Sequence, residues 1–398
     1  MMSHKPRIAI VGGGLGGLTA AILLQRAHYP VRVYEQADQF SRVGAGIQLS
    51  PNVMRVMRHI GLEDAMMRIG LRPLQKLSRD WKTGEITYAV PLERMFELYG
   101  AHYLIMHRGD MHEILLSALQ PGSLYLNHRL IEMEQNGTCL SLAFANGIHA
   151  EADIAIGADG VESKVREILL GPEPPTYTGY VAYRSIFPRK NIGNLQIPDS
   201  SKWWGDDRHL VIYLLTNKRD EVYVVTGVPR PEWQFESISP APVNPEEVQE
   251  AFGEFHPEVR TVLAACPQAT KAPLLERKPM PLWSDRRVVL LGDACHPMPP
   301  HMGQGAGMAI EDAVMLFRCL ETEPHDYQAA FKKYKMNRFE RTARVQHESH
   351  NNEWIRYSMD HEWLFGYDVL TAPLREDAET RRTPANSLGP SIISGKTQ

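Results

Sequence analysis

Near its start the chain reads Ile8-Ala9-Ile10-Val11-Gly12-Gly13-Gly14-Leu15-Gly16-Gly17, and no other stretch restricts its fold so strongly. The apolar run predicts a buried strand over Arg7 to Val11, and the helix formers from Leu18 to Ala27 predict a helix just after the glycines. Val31 to Glu35 reads as a second strand, completing a βαβ opening around a GxGxxG turn. Gly12 permits the tight turn, Gly14 lets the backbone approach a pyrophosphate, and Gly17 lets helix and strand pack closely. The helix N-terminus then offers unpaired N–H groups to phosphate oxygens. Glu35, at the end of the second strand, stands where an acid can bond ribose hydroxyls. This pattern predicts a dinucleotide site without choosing between FAD and NAD.

Downstream the texture changes. Arg42 to Pro51 reads as a glycine-containing loop and Asn52 to Ile60 as a helix. Tyr183 to Phe187, His209 to Leu215 and Glu221 to Val228 read as strands separated by turn formers, with no helices between them, which predicts an antiparallel sheet. A Ser/Pro-rich connector, Phe235 to Pro245, leads into a helix expected over Glu246 to Phe255. A second dinucleotide-type segment begins at Val288 to Leu291. Helices from Gly305 to Leu320 and from Tyr327 to Gln346 follow it, and a disordered tail is expected from Thr383.

Composition excludes several classes. A net charge of -4 gives no general attraction to nucleic acid or acidic membranes. The four cysteines form no CxxC pair, so neither a zinc site nor a disulfide framework is expected. No segment approaches the roughly 20 apolar residues of a membrane span. The apolar run behind Lys5 and Arg7 dissolves into glycines before it could serve as a signal peptide. A cytoplasmic protein, monomeric or homodimeric and without a membrane anchor, is expected.

Two further motifs follow strand-like runs: Gly157-Ala158-Asp159-Gly160, and Gly292-Asp293-Ala294-Cys295-His296-Pro297 continuing to Pro300-His301-Met302-Gly303-Gln304-Gly305-Ala306. Read singly, the first suits a helix cap at Asp159 or Ser163 and the second an ordinary strand–turn–helix. In this order with the glycine turn, they resemble the single-component flavoprotein aromatic hydroxylases, a family that includes para-hydroxybenzoate, salicylate and 6-hydroxynicotinate hydroxylases. The resemblance reaches to about residue 370. Lys202-Trp203-Trp204, Asp207-Arg208-His209, Thr226-Gly227-Val228-Pro229 and Phe365-Gly366-Tyr367-Asp368 are similar to the bacterial 6-hydroxynicotinate branch.

The resemblance implies an α/β fold: a discontinuous Rossmann-like FAD-binding domain (1–72, 101–175 and 278–346) holding an inserted, mostly antiparallel substrate sheet (73–100 and 176–277), with a C-terminal helical segment and tail (347–398). It implies resident FAD, with NADH or NADPH as a transient co-substrate and O2 as oxidant. The absence of a second GxGxxG agrees with a visiting nicotinamide. By position, Gly12, Gly14, Gly17, Glu35 and Gln36 would hold the nucleotide end and Leu130 would meet adenine through its backbone. Arg108 would face the pyrophosphate or ribityl chain, Asp293 would bind ribityl, and Gly305 and Ala306 would contact the flavin ring. Asp159 matches an acid serving both FAD and nicotinamide. The bland alternative for Arg108 is a surface ion pair with Asp110.

The implied reaction is electrophilic hydroxylation of a small hydroxylated aromatic carboxylate by a flavin C4a-hydroperoxide, which needs a base and a dry cavity. A period of two puts His209 and Tyr213, the expected catalytic pair, on one face of a strand. Tyr223 on the next strand, Gln48 and His301 are expected to meet substrate. The leading expectation is decarboxylative conversion of 6-hydroxynicotinate to 2,5-dihydroxypyridine. Alternatives are a salicylate 1-hydroxylase or related hydroxybenzoate hydroxylase, or a non-catalytic FAD-binding redox or sensor protein. One departure stands out: the 6-hydroxynicotinate enzymes carry a histidine in the loop equivalent to Gly44 to Gln48, where this chain has Gln48. A glutamine there hydrogen-bonds but takes up no proton.

Overall fold

The computed structural model describes residues 5–42, 45–233, 238–358 and 360–376. Gly44, the start of the connector at Phe235 and the tail from Thr383 lie outside the described residues. Ile8–Val11 is the centre of a six-stranded sheet, flanked by Ile154–Gly157 and Val31–Tyr34. Val288–Leu290 and Leu124–Tyr125 extend it, all in parallel, and Ser284–Asp285 closes one edge as an antiparallel hairpin. Strands covered on both faces need apolar residues throughout, which is why Ile8–Val11 and Ile154–Gly157 are buried at every position. The helix Leu15–Arg26 is likewise buried almost all round, packed between this sheet and the helix Gly305–Thr322.

The second body is an eight-stranded sheet. From edge to edge it runs Ala241–Val243, Ala269–Glu276, Thr176–Pro188, Glu221–Pro229, His209–Leu215, Ser200–Trp204, Gln75–Asp80 and Ile86–Pro91. Every pairing is antiparallel except that of Ser200–Trp204 with Gln75–Asp80. The fold is therefore α/β, with segments of the dinucleotide domain flanking a mostly antiparallel insert. A three-stranded sheet built on Leu130–Asn136, Cys139–Phe144 and His149–Ala152 sits beside the nucleotide sheet. No described helix is long and apolar enough to cross a membrane.

Three local readings change. The expected loop at residues 42–51 contains a strand, Gly46–Leu49, paired antiparallel with Leu104–His107. Its partner is distant in sequence, so no local pattern announces it. The helix expected over Glu246 to Phe255 stops at Ala251, and a second helix, Pro257–Ala264, begins behind the cap His256. Gly253 and Pro257 account for the break. At the C-terminus the helix Tyr327–Asn351 runs past the expected boundary at 346/347 and ends where Asn352 turns left-handed, φ 52°. Among the described residues after it, only the short π-turn Glu362–Gly366 is helical.

A buried ion network ties the helices Gly305–Thr322 and Tyr327–Asn351 to the turn at Gly292. Arg338 bonds Glu311 (2.6 Å) and Asp312 (2.7 Å), all three completely buried, and Arg341 also bonds Glu311 (2.7 Å). Asp312 in turn accepts from the Gly292 N–H (3.1 Å) and pairs with His296 (2.5 Å). Burial alone would push the Asp312 carboxyl up, but His296 and Arg338 hold it down at about 2. One carboxylate thus ties the helix Gly305–Thr322 to the turn that carries Asp293.

Candidate active site

The glycine turn is shaped by close approaches. Gly12 has φ 109°, and a Cβ there would lie 2.6 Å from the Ala158 carbonyl carbon and closer to its oxygen. A Cβ at Gly17 would overlap the Gly12 carbonyl oxygen, so only a hydrogen lets the helix sit this close to the strand. Gly14 is different: a Cβ there would meet nothing within 4 Å. The helix behind it has no side-chain cap and no acid in its first turn, which leaves its N–H groups open to an anion. Glu35 braces the turn, accepting from Gly13 N–H (2.7 Å) and Ala37 N–H (2.9 Å). Gln36 beside it is exposed. Leu130 is buried at the start of its strand, two residues beyond His128, whose N–H donates to the Glu35 carbonyl (2.7 Å).

Arg108 and Asp293 lie further along the same side. Both keep solvent-accessible surface, yet protein surrounds both deeply enough that desolvation dominates their ionisation. Burial lowers Arg108, which Asp293 partly restores; burial raises Asp293, which His296 and Arg108 partly offset. Accessible charges at depth mark a cleft. Asp110 pairs with Arg42 (2.6 Å), so the surface ion pair considered for Arg108 does not form. Gly305 opens on the same cleft: a Cβ there would meet nothing nearer than Asp293 Oδ1 and Met298 Cγ at 3.9 Å. Gly305 and Ala306 begin a helix with an uncapped first turn free of acids. Two uncapped helix N-termini, joined by a cleft carrying an arginine and an aspartate, fit FAD: pyrophosphate at Gly14 and the flavin's N1–C2=O edge at Gly305.

Asp159 behaves otherwise. Its carboxylate accepts from Ser163 Oγ (2.5 Å) and Val165 N–H (3.0 Å), closing the turn ahead of the helix Lys164–Leu170. Here the geometry is that of the bland capping alternative.

The large sheet turns one face toward the loop Pro300–Met302. Register places Lys202 beside Val211, Trp204 beside His209, Gly227 opposite His209, and Tyr223 opposite Tyr213. The rings of Tyr213 and Tyr223 meet edge-on at 5.0 Å, as do those of His209 and His301. Gln48 Oε1 accepts from Tyr103 OH (2.6 Å) and Lys76 Nζ (2.8 Å) and interacts with Tyr213. A Cβ at Gly303 would lie 4.0 Å from Gln48 Cβ, so Gln48 borders the loop that carries His301. A cavity of about 370 Å³ adjoins His209, His301, Trp204, Asn352 and Arg356.

Hydrogen bonding assigns the histidine tautomers. Lys202 Nζ can only donate, so it takes Asn352 Oδ1 (2.9 Å), leaving Asn352 Nδ2 to donate to His209 Nδ1 (3.1 Å). His209 therefore keeps its proton on Nε2. His301 Nδ1 faces the Ser349 carbonyl (2.7 Å), which only accepts, so its proton is on Nδ1 and the buried Nε2 has a lone pair without a partner. Both rings are held neutral. Burial, with Lys202 and His301, pushes His209 well below the usual histidine range; burial and Lys202 bring His301 to about 3. Tyr213 and Tyr223 are raised by burial and stay protonated.

Sequence reasoning had not assigned roles to Lys76, Tyr103, Lys202 or Asn352, or to Arg184, which pairs opposite Val225 and bonds Tyr223. Lys202 stood inside a recognised segment, and its period-two relation to Trp204 was legible; the others reach the face through long-range pairing.

The FAD binding domain family model matches residues 5–349. The chain is 51% identical to a 6-hydroxynicotinate 3-monooxygenase of Bordetella bronchiseptica, covering 94% of this chain and 98% of that protein. It is 49% identical to the Pseudomonas fluorescens enzyme of the same name, over 94% and 98%. Among solved structures, Klebsiella pneumoniae HpxO complexed with FAD and uric acid superposes with a TM-score of 0.78 at 25% identity, covering 90% of each chain. A salicylate hydroxylase substrate complex shares the fold, with a TM-score of 0.79 over 92% of this chain and 96% of that one, at 24% identity. The chain belongs to the family of FAD-dependent monooxygenases that act on aromatic rings.

Proposed function

We propose that this enzyme hydroxylates a hydroxylated pyridine carboxylate, converting 6-hydroxynicotinate to 2,5-dihydroxypyridine with loss of the carboxylate. The observation that carries the reading is the face formed by His209, Tyr213, Tyr223, Gln48 and His301, together with the two relatives near 50% identity that bear this activity in their names. FAD, reduced by NAD(P)H, supplies the chemistry that activates O2 and delivers one oxygen atom to the ring.

The protein's part is binding, proton handling and exclusion of water. Gly12, Gly14, Gly17, Glu35, Gln36 and Leu130 hold the adenosine and pyrophosphate end. Arg108, Asp293, Gly305 and Ala306 hold the ribityl chain and flavin ring, and Asp159 supports the turn near the nicotinamide approach. His209, protonated on Nε2, donates to the ring oxygen substituent. His301 Nε2 offers a lone pair that accepts a hydrogen bond from the ring hydroxyl and so polarises it, while the imidazole itself, held at about 3, stays neutral. Tyr213, protonated and held beside Gln48, donates a second hydrogen bond. With His301 as hydrogen-bond acceptor and Gln48 held by Tyr103 and Lys76, the face orients the ring hydroxyl by hydrogen bonding at the position where the related enzymes carry a histidine.

The test is direct. Holoenzyme is mixed with NADH or NADPH and a panel of hydroxylated pyridine and benzene carboxylates, and products are identified by mass spectrometry. The expected result is 6-hydroxynicotinate-stimulated NAD(P)H oxidation with 2,5-dihydroxypyridine formed. Salicylate turned over in its place would select the hydroxybenzoate alternative.

A further inference from the structure

Two lysines on the substrate face lack what buried lysines normally have. Lys76 is 7% exposed and Lys202 is 2% exposed. Buried ammonium groups are ordinarily paired with a carboxylate, because removing the charge from water is costly. Among the described residues neither makes an ion pair. Lys76 bonds only the neutral Gln48 Oε1 (2.8 Å), and Lys202 only the neutral Asn352 Oδ1 (2.9 Å).

The strands bring these lysines together. Ser201 pairs with Leu77 and Lys202 with Ser78 in parallel register, so Lys76 stands level with Ser200 and projects to the same face as Lys202. Burial lowers both lysines, Lys76 to about 8 and Lys202 well below the ordinary lysine range, and for Lys202 the charge of Lys76 adds to the effect, so an arriving anion would restore their ammonium forms. Arg356 acts on Lys202, and Lys76 acts on His361. The Trp204 ring, 3.8 Å from Lys202 Nζ, compensates that charge in part. Among the described residues no aromatic ring lies over Lys76 in this way. Each lysine has further N–H donors beyond its single bond, and both adjoin groups already placed at the substrate: Gln48 for Lys76, and His209 through Asn352 for Lys202.

We infer that Lys76 and Lys202 form a buried anion site that binds the carboxylate of the aromatic substrate. This rests on the proposed function and deepens it. A ring carboxylate is ionised at neutral pH without help from a base, so it supplies the missing counter-charge on arrival. A ring hydroxyl does not, and it is left to His209 and His301 at the flavin loop.

The test compares two ligands that differ only in the carboxylate: 6-hydroxynicotinate and 2-hydroxypyridine. Binding to FAD-loaded enzyme is followed by calorimetry. In Lys202→Met, affinity for 6-hydroxynicotinate should fall by roughly 10- to 100-fold, the range of a charge-assisted hydrogen bond. Affinity for 2-hydroxypyridine should stay within about twofold. Lys76→Met should show the same split. Lys202→Gln, which keeps a donor toward Asn352, should show it too and guards against a folding defect in the methionine variant. Equal weakening of both ligands, or no weakening of 6-hydroxynicotinate, overturns the anion site. The functional reading fails separately, if wild-type enzyme turns over no hydroxylated ring carboxylate.

Discussion

Gly227 offers a way to disturb His209 without altering it. The imidazole lies across the bare Cα of Gly227, its antiparallel partner. A Cβ at position 227 would stand 2.8 Å from His209 Nδ1, 3.0 Å from Nε2 and nearer still to Cε1. Heavy atoms without a bond between them settle at roughly 3.5–4.0 Å, so in Gly227→Ala the ring must move by about 1 Å. That movement breaks the 3.1 Å bond from Asn352 and the edge contact with His301. A displacement of about 1 Å in a positioned group costs on the order of 10²-fold in rate, while overpacking costs about 1–3 kcal/mol of stability. Gly227→Ala holoenzyme should therefore stay folded and yellow, with kcat for product formation reduced about 100-fold. The assay is NAD(P)H oxidation coupled to product quantitation, with urea unfolding as the stability control. A kcat within twofold of wild type would falsify the role given to His209.

Other expectations follow from the same geometry. Glu35→Gln removes the charge bonded to the Gly13 and Ala37 amides and should release FAD roughly tenfold more readily. Flavin fluorescence on dilution reads this, and unchanged retention would count against Glu35. Arg338→Met leaves the buried Glu311 and Asp312 to Arg341 and His296 alone and should cost about 3–5 kcal/mol in urea unfolding; a loss below about 1 kcal/mol would remove the network from the stabilising groups. Asp312, held at about 2 in the fold, contributes stability that is fully present above about pH 4 and is lost as pH falls toward 2. Its share is on the order of 2–3 kcal/mol. An Asp312→Asn variant should therefore be less stable than wild type at pH 7, with the difference narrowing toward pH 2; a gap that stays constant with pH would refute the linkage.

Much was legible in the chain because it depends on neighbours. Ile8–Val11 is apolar at every position because both its faces are covered, and Gly17 meets a steric demand made by the nearby Gly12 carbonyl. His209 and Tyr213 share a face because strand periodicity is local. The break at Gly253 and Pro257 was written locally too, but two apolar phenylalanines, Phe252 and Phe255, both in the core, masked it as one helix.

The sequence by itself determined a dinucleotide fold around Gly12–Gly17, an antiparallel insert, and an aromatic-hydroxylase pattern ending in Gly305–Ala306. Only the tertiary structure decided that Asp159 closes a turn, that Gln48 belongs to a strand, and which nitrogen of His209 and His301 carries the proton. It also decided that Lys76, more than a hundred residues away in sequence, faces Lys202 across a parallel register. The physical reason is the same in each case. Periodicity records which way a side chain points, whereas the partner that sets its charge or hydrogen bond arrives through pairing between distant segments.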